Sequence, residues 1–194
     1  MCGIVGYIGR QAAVPILMEG LKRLEYRGYD SAGLTVLSNG RLATRKAAGK
    51  IADLEALLGS GGVPAGTCGI AHTRWATHGA PNTVNAHPHL DCSGDFAVAH
   101  NGIIENAGTL RRKLEALGHT MRSETDTEVV AHMIEQAYDG SFEEAVRAAL
   151  RQVEGTYGLA ILSSRDPGKI IAARRGSPLL VGIGERGEYF IASD

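Results

Sequence analysis

The feature that most restricts this chain is the order of its apolar patterns: strand-like runs at both ends enclose a helical middle. Residues 3–8, GIVGYI, make a short apolar run with the length of a buried strand. Leu17, Leu21 and Leu24 then recur at helical spacing within 12–26. AGLTVLS at 32–38 and RLATRKA at 41–47 flank Asn39-Gly40, a two-residue hairpin signal. A short helix over 51–58, stopped by Gly59, precedes a strand at 67–74 and a long polar loop at 75–94. The strand FAVAHN at 96–101 leads into a helix over 107–117 with Gly118 as its stop. Thr125 with Glu128, and Ser141 with Glu144, have the spacing of capping boxes opening helices at 127–138 and 142–152. Strand patterns close the chain at 156–163, 169–173, 178–183 and 188–193. Sheets bury their apolar faces against other layers, and here helices are available to cover them. The order implies an α+β chain, a four-layer αββα sandwich of two antiparallel sheets with helices outside.

The 194 residues suit one domain over 1–194, and a 44% hydrophobic content supplies a substantial core. A net charge of −1 with scattered basic residues argues against a nucleic-acid partner. The apolar runs are too short to cross a membrane, and MCGIVGYIGR lacks the order of a secretory signal. A cytoplasmic location is expected. Cys2, Cys68 and Cys92 are widely spaced with no CxxC pair, so neither a disulfide framework nor a zinc motif is indicated. Five of the seven histidines, His72, His78, His87, His89 and His100, crowd one segment. They have no helical i,i+4 pair and no cysteine partner, so no metal and no cofactor are expected. Cys68 and Cys92 are read as structural.

Cys2 follows the initiator methionine, which is commonly removed before a small residue. Its removal gives Cys2 a free α-amino group, which ordinarily titrates near ~8, beside a thiol that titrates near ~8.5. One residue then supplies a nucleophile and a base that works close to neutral pH.

The segments MCGIVGYIG, EYRGYDSAG, HTRWATHG, NAHPH, HNGIIEN and SETDTEV occur in that order. Over essentially its whole length the chain resembles the glutaminase domain of glutamine–fructose-6-phosphate aminotransferases. These are class II glutamine amidotransferases of the N-terminal-nucleophile (Ntn) hydrolase type. CGI with HNG marks the class; EYRGYDSAG with HTRWATHG is more specific. The resemblance implies L-glutamine as substrate, hydrolysed by Cys2 to glutamate and ammonia. It implies an oxyanion site at Asn101 and Gly102, and Arg27 near the nucleophile. Arg74, Trp75, Thr77, His78, Gly102 and Asp126 would bind glutamine, Arg74 holding the carboxylate and Asp126 the ammonium. In such enzymes the ammonia converts fructose 6-phosphate to glucosamine 6-phosphate on isomerase domains that this chain lacks, and the parent enzymes are homodimers.

Each residue also admits a plainer role: Asn101-Gly102 an ordinary turn, Arg74 a surface arginine, Asp126 a helix-start carboxylate, Trp75 a core aromatic, Arg27 a salt bridge to Asp30. Two other functions stay open. The chain belongs to a different class II amidotransferase, or it is a silent binding module if Met1 is retained. The resemblance further implies that C-terminal strands are missing after FIASD, which exposes sheet edges. A chain ending at Asp194 is therefore expected to denature at a lower midpoint than one extended by those strands, measured side by side in urea.

Overall fold

The computed structural model describes residues 2–75 and 79–194. Strand β1 (Gly3–Ile8) is followed by helix α1 (Ala13–Arg23), the hairpin β2 (Ser31–Ser38) and β3 (Arg41–Ala48), helix α2 (Ile51–Gly61) and strand β4 (Cys68–Arg74). A short β5 (His89–Leu90) precedes β6 (Phe96–Ile104) and three helices, α3 (Ala107–Ala116), α4 (Glu128–Ala137) and α5 (Phe142–Leu150). Strands β7 (Gly155–Ser163), β8 (Ile170–Arg175), β9 (Leu180–Ile183) and β10 (Tyr189–Ala192) close the chain. The strands form a six-stranded sheet, β3-β2-β4-β1-β10-β9, and a four-stranded sheet, β5-β6-β7-β8. All of these strand pairs are antiparallel.

The period-two pleat divides the strand residues between three apolar layers. On β1, Val5 and Tyr7 join α1 and α2 in one core, while Ile4 points the other way. On β6, Phe96 and Val98 join α3, α4 and α5, and on β7 Leu159 and Ile161 do the same. The opposite faces carry Ala97, Ala99, Ala160 and Leu162, which meet Ile4, Cys68, Ile70 and Ile191 between the sheets. This is the αββα sandwich read from the sequence. Small alanines on β6 and β7 permit a close approach of the sheets. Cys68 lies in that apolar layer, where burial pushes its thiol up to about 12 and leaves it an inert hydrophobe.

The helices keep their amphipathic logic. α1 buries Ala13, Val14, Leu17, Met18 and Leu21, one stripe of a 3.6-residue period. At Asn39-Gly40 both residues have positive φ, 50° and 74°, as the tight hairpin requires. Ser141 caps α5 by accepting the Glu144 N–H at 3.4 Å.

Three local expectations are corrected. α2 runs past Gly59 to Gly61, because an isolated glycine does not stop a helix whose Leu54 and Leu58 are buried. Thr125 does not cap α4. Its hydroxyl pairs with Ser123 and His89, while the Glu128 carboxylate accepts the N–H groups of Arg122 and Ser123. The 75–94 segment is not simply a solvated loop: Asn85, Ala86, His87 and His89 are buried, and β5 pairs with β6.

Core and edge should respond differently to truncation. Ile70 is fully buried between the sheets, and Ile70→Ala is expected to cost ~2–5 kcal/mol. Ile183, on the outer edge of the larger sheet, is 80% exposed, and Ile183→Ala should change stability by under ~0.5 kcal/mol. Urea denaturation of the two variants checks the contrast.

Candidate active site

Where β1, β4 and β6 meet, their ends surround a cavity of about 430 Å³ lined by Cys2, Arg74, Trp75, Asn101, Gly102 and Asp126, among others. Six of the residues expected at the site thus converge from positions up to 124 residues apart in the chain. Thr77 and His78 lie outside the described residues, as does the side chain of Arg27.

Cys2 immediately precedes β1. Its Sγ accepts the Trp75 N–H at 3.2 Å and lies 3.5 Å from the Trp75 carbonyl oxygen. Burial raises the thiol pKa, and the Trp75 N–H and the Arg74 charge offset part of that rise. The group therefore rests as a thiol at neutral pH and needs a base to become a nucleophile.

Asn101-Gly102 is not a turn. Both residues lie within β6, paired in unbroken register with Gly158 and Tyr157 of β7. Gly102 has φ 131°, and a β-carbon there would meet the Thr156 carbonyl oxygen at 2.2 Å, so only glycine fits. The Asn101 amide is oriented from the other sheet. His72, on β4, places Nε2 3.0 Å from both the His100 carbonyl oxygen and Asn101 Oδ1. Both are acceptors, so Nε2 carries the proton. Asn101 Nδ2 then faces Cys2 and donates to its carbonyl oxygen at 3.1 Å.

Asp126 accepts the Ile104 N–H at 2.8 Å, which fixes the carboxylate against β6 rather than against the first turn of α4. Arg74 is buried rather than at the surface. It donates to the carbonyl oxygens of Gly79 and Ala80, and its Nη1 lies 3.8 Å from Asp30 Oδ1. Its charge is thus held at the cavity wall, and it anchors the backbone at Gly79 and Ala80. Trp75 is not a core aromatic. It is 55% exposed and its ring covers Gly28, where an added β-carbon would lie 2.4 Å from Trp75 Cζ3.

His72 and His100 lie in strands with hydrogen-bond partners, as expected from the sequence, but sequence reasoning did not show that they join His87 and His89 in a buried wall. His72 stacks on His87 with ring centroids 4.3 Å apart, and His89 meets His87 edge-on at 4.7 Å. His100 Nδ1 bonds Thr127 Oγ1 at 2.8 Å. His72 is satisfied on one side alone, since its Nδ1 has no hydrogen-bond partner among the described residues. Thr127, Thr156 and Pro178 also line the cavity, and nothing in their local sequence marks them.

Residues 72–194 match the glutamine amidotransferase domain. The chain belongs to the glutamine amidotransferase domain family. The domain is 55% identical over its full length to a glutamine–fructose-6-phosphate aminotransferase of Symbiobacterium thermophilum, and 53% identical to one of Pyrococcus horikoshii. It spans about a third of the length of these relatives, 32% of each. Among solved structures it superposes on a glutamine phosphoribosylpyrophosphate amidotransferase from B. subtilis, with TM-score 0.84 and 29% identity. That match covers 99% of this chain and 42% of the other. A class-II glutamine aminotransferase domain protein from Silicibacter pomeroyi, at 13% identity and TM-score 0.67, shares the fold over 98% of this chain and 88% of its own. Among the described residues no helix is long and apolar enough to cross a membrane.

The histidine wall makes acid stability testable. Burial lowers His72 to about 3 and also lowers His87, His89 and His100. An unfolded histidine titrates near ~6.5. Below that pH the unfolded chain binds protons that the folded domain refuses. The His72 contribution is therefore complete above about pH 6.5 and is lost toward pH 3 by ~1.4 kcal/mol per pH unit, and the other lowered histidines act in the same direction. His72→Gln should lower the proton uptake on unfolding at pH 5 by about one, read from the pH dependence of urea-derived stabilities.

Proposed function

We propose that this domain hydrolyses L-glutamine to glutamate and ammonia, with Cys2 as the nucleophile. One observation carries the reading: the Cys2 sulfur, the inward-facing Asn101 amide and the Asp126 carboxylate share a single cavity.

The reaction follows from what each group can do. With Met1 removed, the α-amine of Cys2 takes the thiol proton, and the sulfur attacks the side-chain carboxamide carbon. Negative charge develops on the carboxamide oxygen, where Asn101 Nδ2 and the Gly102 N–H donate to it. Losing one such donor raises the barrier by ~3 kcal/mol. Collapse breaks the carbon–nitrogen bond, and the protonated amine returns its proton to the departing ammonia. Water activated by the same amine then attacks the thioester carbon, releasing glutamate and regenerating the thiol. At the far end of the substrate the Arg74 guanidinium binds the α-carboxylate and Asp126 the α-ammonium. Trp75, Thr77 and His78 complete the glutamine pocket, and Arg27 orients the nucleophile.

In the whole protein the ammonia serves conversion of fructose 6-phosphate to glucosamine 6-phosphate. This takes place on isomerase domains that follow the chain, in a cytoplasmic homodimer. The 55% identity to the fructose-6-phosphate enzymes, against 29% to the phosphoribosylpyrophosphate amidotransferase, supports this acceptor.

Cys2→Ala is expected to abolish ammonia release while glutamine binding, followed by calorimetry, persists. Asp126→Asn should weaken glutamine binding at least tenfold. Ammonia release at a normal rate by Cys2→Ala, or by a chain shown by intact mass to retain Met1, overturns the mechanism.

A further inference from the structure

Away from the cavity, four side chains bring metal-ligating atoms together. Cys92 lies just after β5, His119 just after α3, and His132 and Glu135 one turn apart on α4. Their ligand atoms all lie within 4.8 Å of one another. Cys92 Sγ is 3.5 Å from His132 Nδ1 and 3.9 Å from His119 Nδ1. Glu135 Oε2 is 3.1 Å from His119 Nδ1 and 3.4 Å from His132 Nδ1. A tetrahedral zinc ion with bonds of about 2.0–2.3 Å spaces its ligands about 3.3–3.8 Å apart.

The outer atoms are arranged for the same task. His132 is 1% exposed, and its Nε2 has no hydrogen-bond partner among the described residues. Glu128 Oε1 lies 3.6 Å away, just beyond bonding reach. His119 Nε2 faces Gln136 Oε1 at 2.9 Å. Each imidazole thus has an oxygen behind it and an oxygen and a sulfur in front. A neutral ring carries one N–H and satisfies one side. With a divalent cation in front, both Nδ1 atoms present lone pairs and both Nε2–H groups point to their outer oxygens, the usual second shell of a histidine ligand. Cys92 Sγ accepts the Thr120 N–H at 3.4 Å, and the Glu135 oxygens accept the N–H groups of Cys92 and Ser93. These N–H groups leave the sulfur and the carboxylate oxygens held as acceptors facing the cluster.

We propose that Cys92, His119, His132 and Glu135 bind one zinc ion. The mixed S, N, N, O donor set suits zinc, and four protein ligands describe a structural site without an open position. The ion pins the segments before β6 and after α3 to α4. Asp126 and Thr127 of the cavity immediately precede that helix, so the clamp steadies one wall of the glutamine site. The sequence hides the site because its ligands are spaced 27, 13 and 3 residues apart and only the last pair is local.

The test uses the untagged chain in a Cys2→Ala background, so that the nucleophile cannot contribute a thiolate. After removal of loosely held metal, elemental analysis should find about one zinc per chain. Cobalt substitution should give the near-ultraviolet charge-transfer band of a cobalt–thiolate bond. Adding Cys92→Ser should abolish the band, and adding either Cys92→Ser or His119→Gln should weaken zinc binding at least tenfold in a chelator competition. Both positions are outside the apolar cores, and circular dichroism checks that each variant folds. Zinc should also raise the thermal midpoint of the parent and not of Cys92→Ser. Absence of stoichiometric zinc in the folded parent, or binding that neither substitution alters, overturns the proposal.

Discussion

The architecture of the site depends on one hydrogen bond between the two sheets. His72 sits in the middle of β4, flanked by Ile4 on β1 and Gly33 on β2, and reaches across to Asn101 on β6. A buried polar group without a partner is costly, so this bond fixes how the sheets register as well as holding them. It also decides which way the Asn101 amide points. With Oδ1 committed to His72, Nδ2 is turned toward Cys2 at the head of β1. The alanine layer on β6 and β7 lets the sheets come near enough for a histidine to span them. Packing, tautomer and the placing of Asn101 beside Cys2 are therefore set together.

Most of the fold was legible in the sequence because its layers follow from local periodicities. The strand at 3–8, the Asn39-Gly40 hairpin and the stripe through Leu17 and Leu21 needed no long-range information. What escaped were decisions made by tertiary partners. Thr125 has a capping residue's spacing, but buried Ser123 and His89 compete for its hydroxyl and win. The 75–94 segment reads as polar because its polar groups bond one another and the chain beside them. Asn85 donates to Ala80 and Glu124, and accepts from the Glu124 N–H.

The site was legible through motif identity more than through physics. Cys2 and Asp126 could be proposed from charge and nucleophilicity. Asn101-Gly102, taken alone, reads as a turn, and only the pairing with β7 shows a strand bearing one left-handed glycine. Trp75 illustrates the reverse error. A lone tryptophan is expected inside, yet here it lies over Gly28, a glycine a few residues past the end of α1. In sequence His72 is one more strand histidine, and its role as the group that orients Asn101 depends on a partner 29 residues away.

The same histidines bear on how Cys2 would be activated in the proposed reaction. A thiol raised by burial has two common routes to reactivity: an adjacent imidazolium that stabilises the thiolate, or a base that removes the proton as attack occurs. His87 and His100 line the cavity and His72 lies behind it, so the first route looks available on a count of residues. Electrostatics argues the other way. Burial lowers all three from the ordinary imidazole value, His72 to about 3, and His72 and His100 further discourage charge on His87, so none offers a positive partner near pH 7. His72 and His100 also direct ring nitrogens at Asn101 and Thr127. Among the described residues the histidine wall is therefore scaffold, neutral and hydrogen-bonded, and in the proposed reaction the work of deprotonation falls to the second route. An α-amine on the nucleophile itself meets that need without placing a further charge in an apolar cavity.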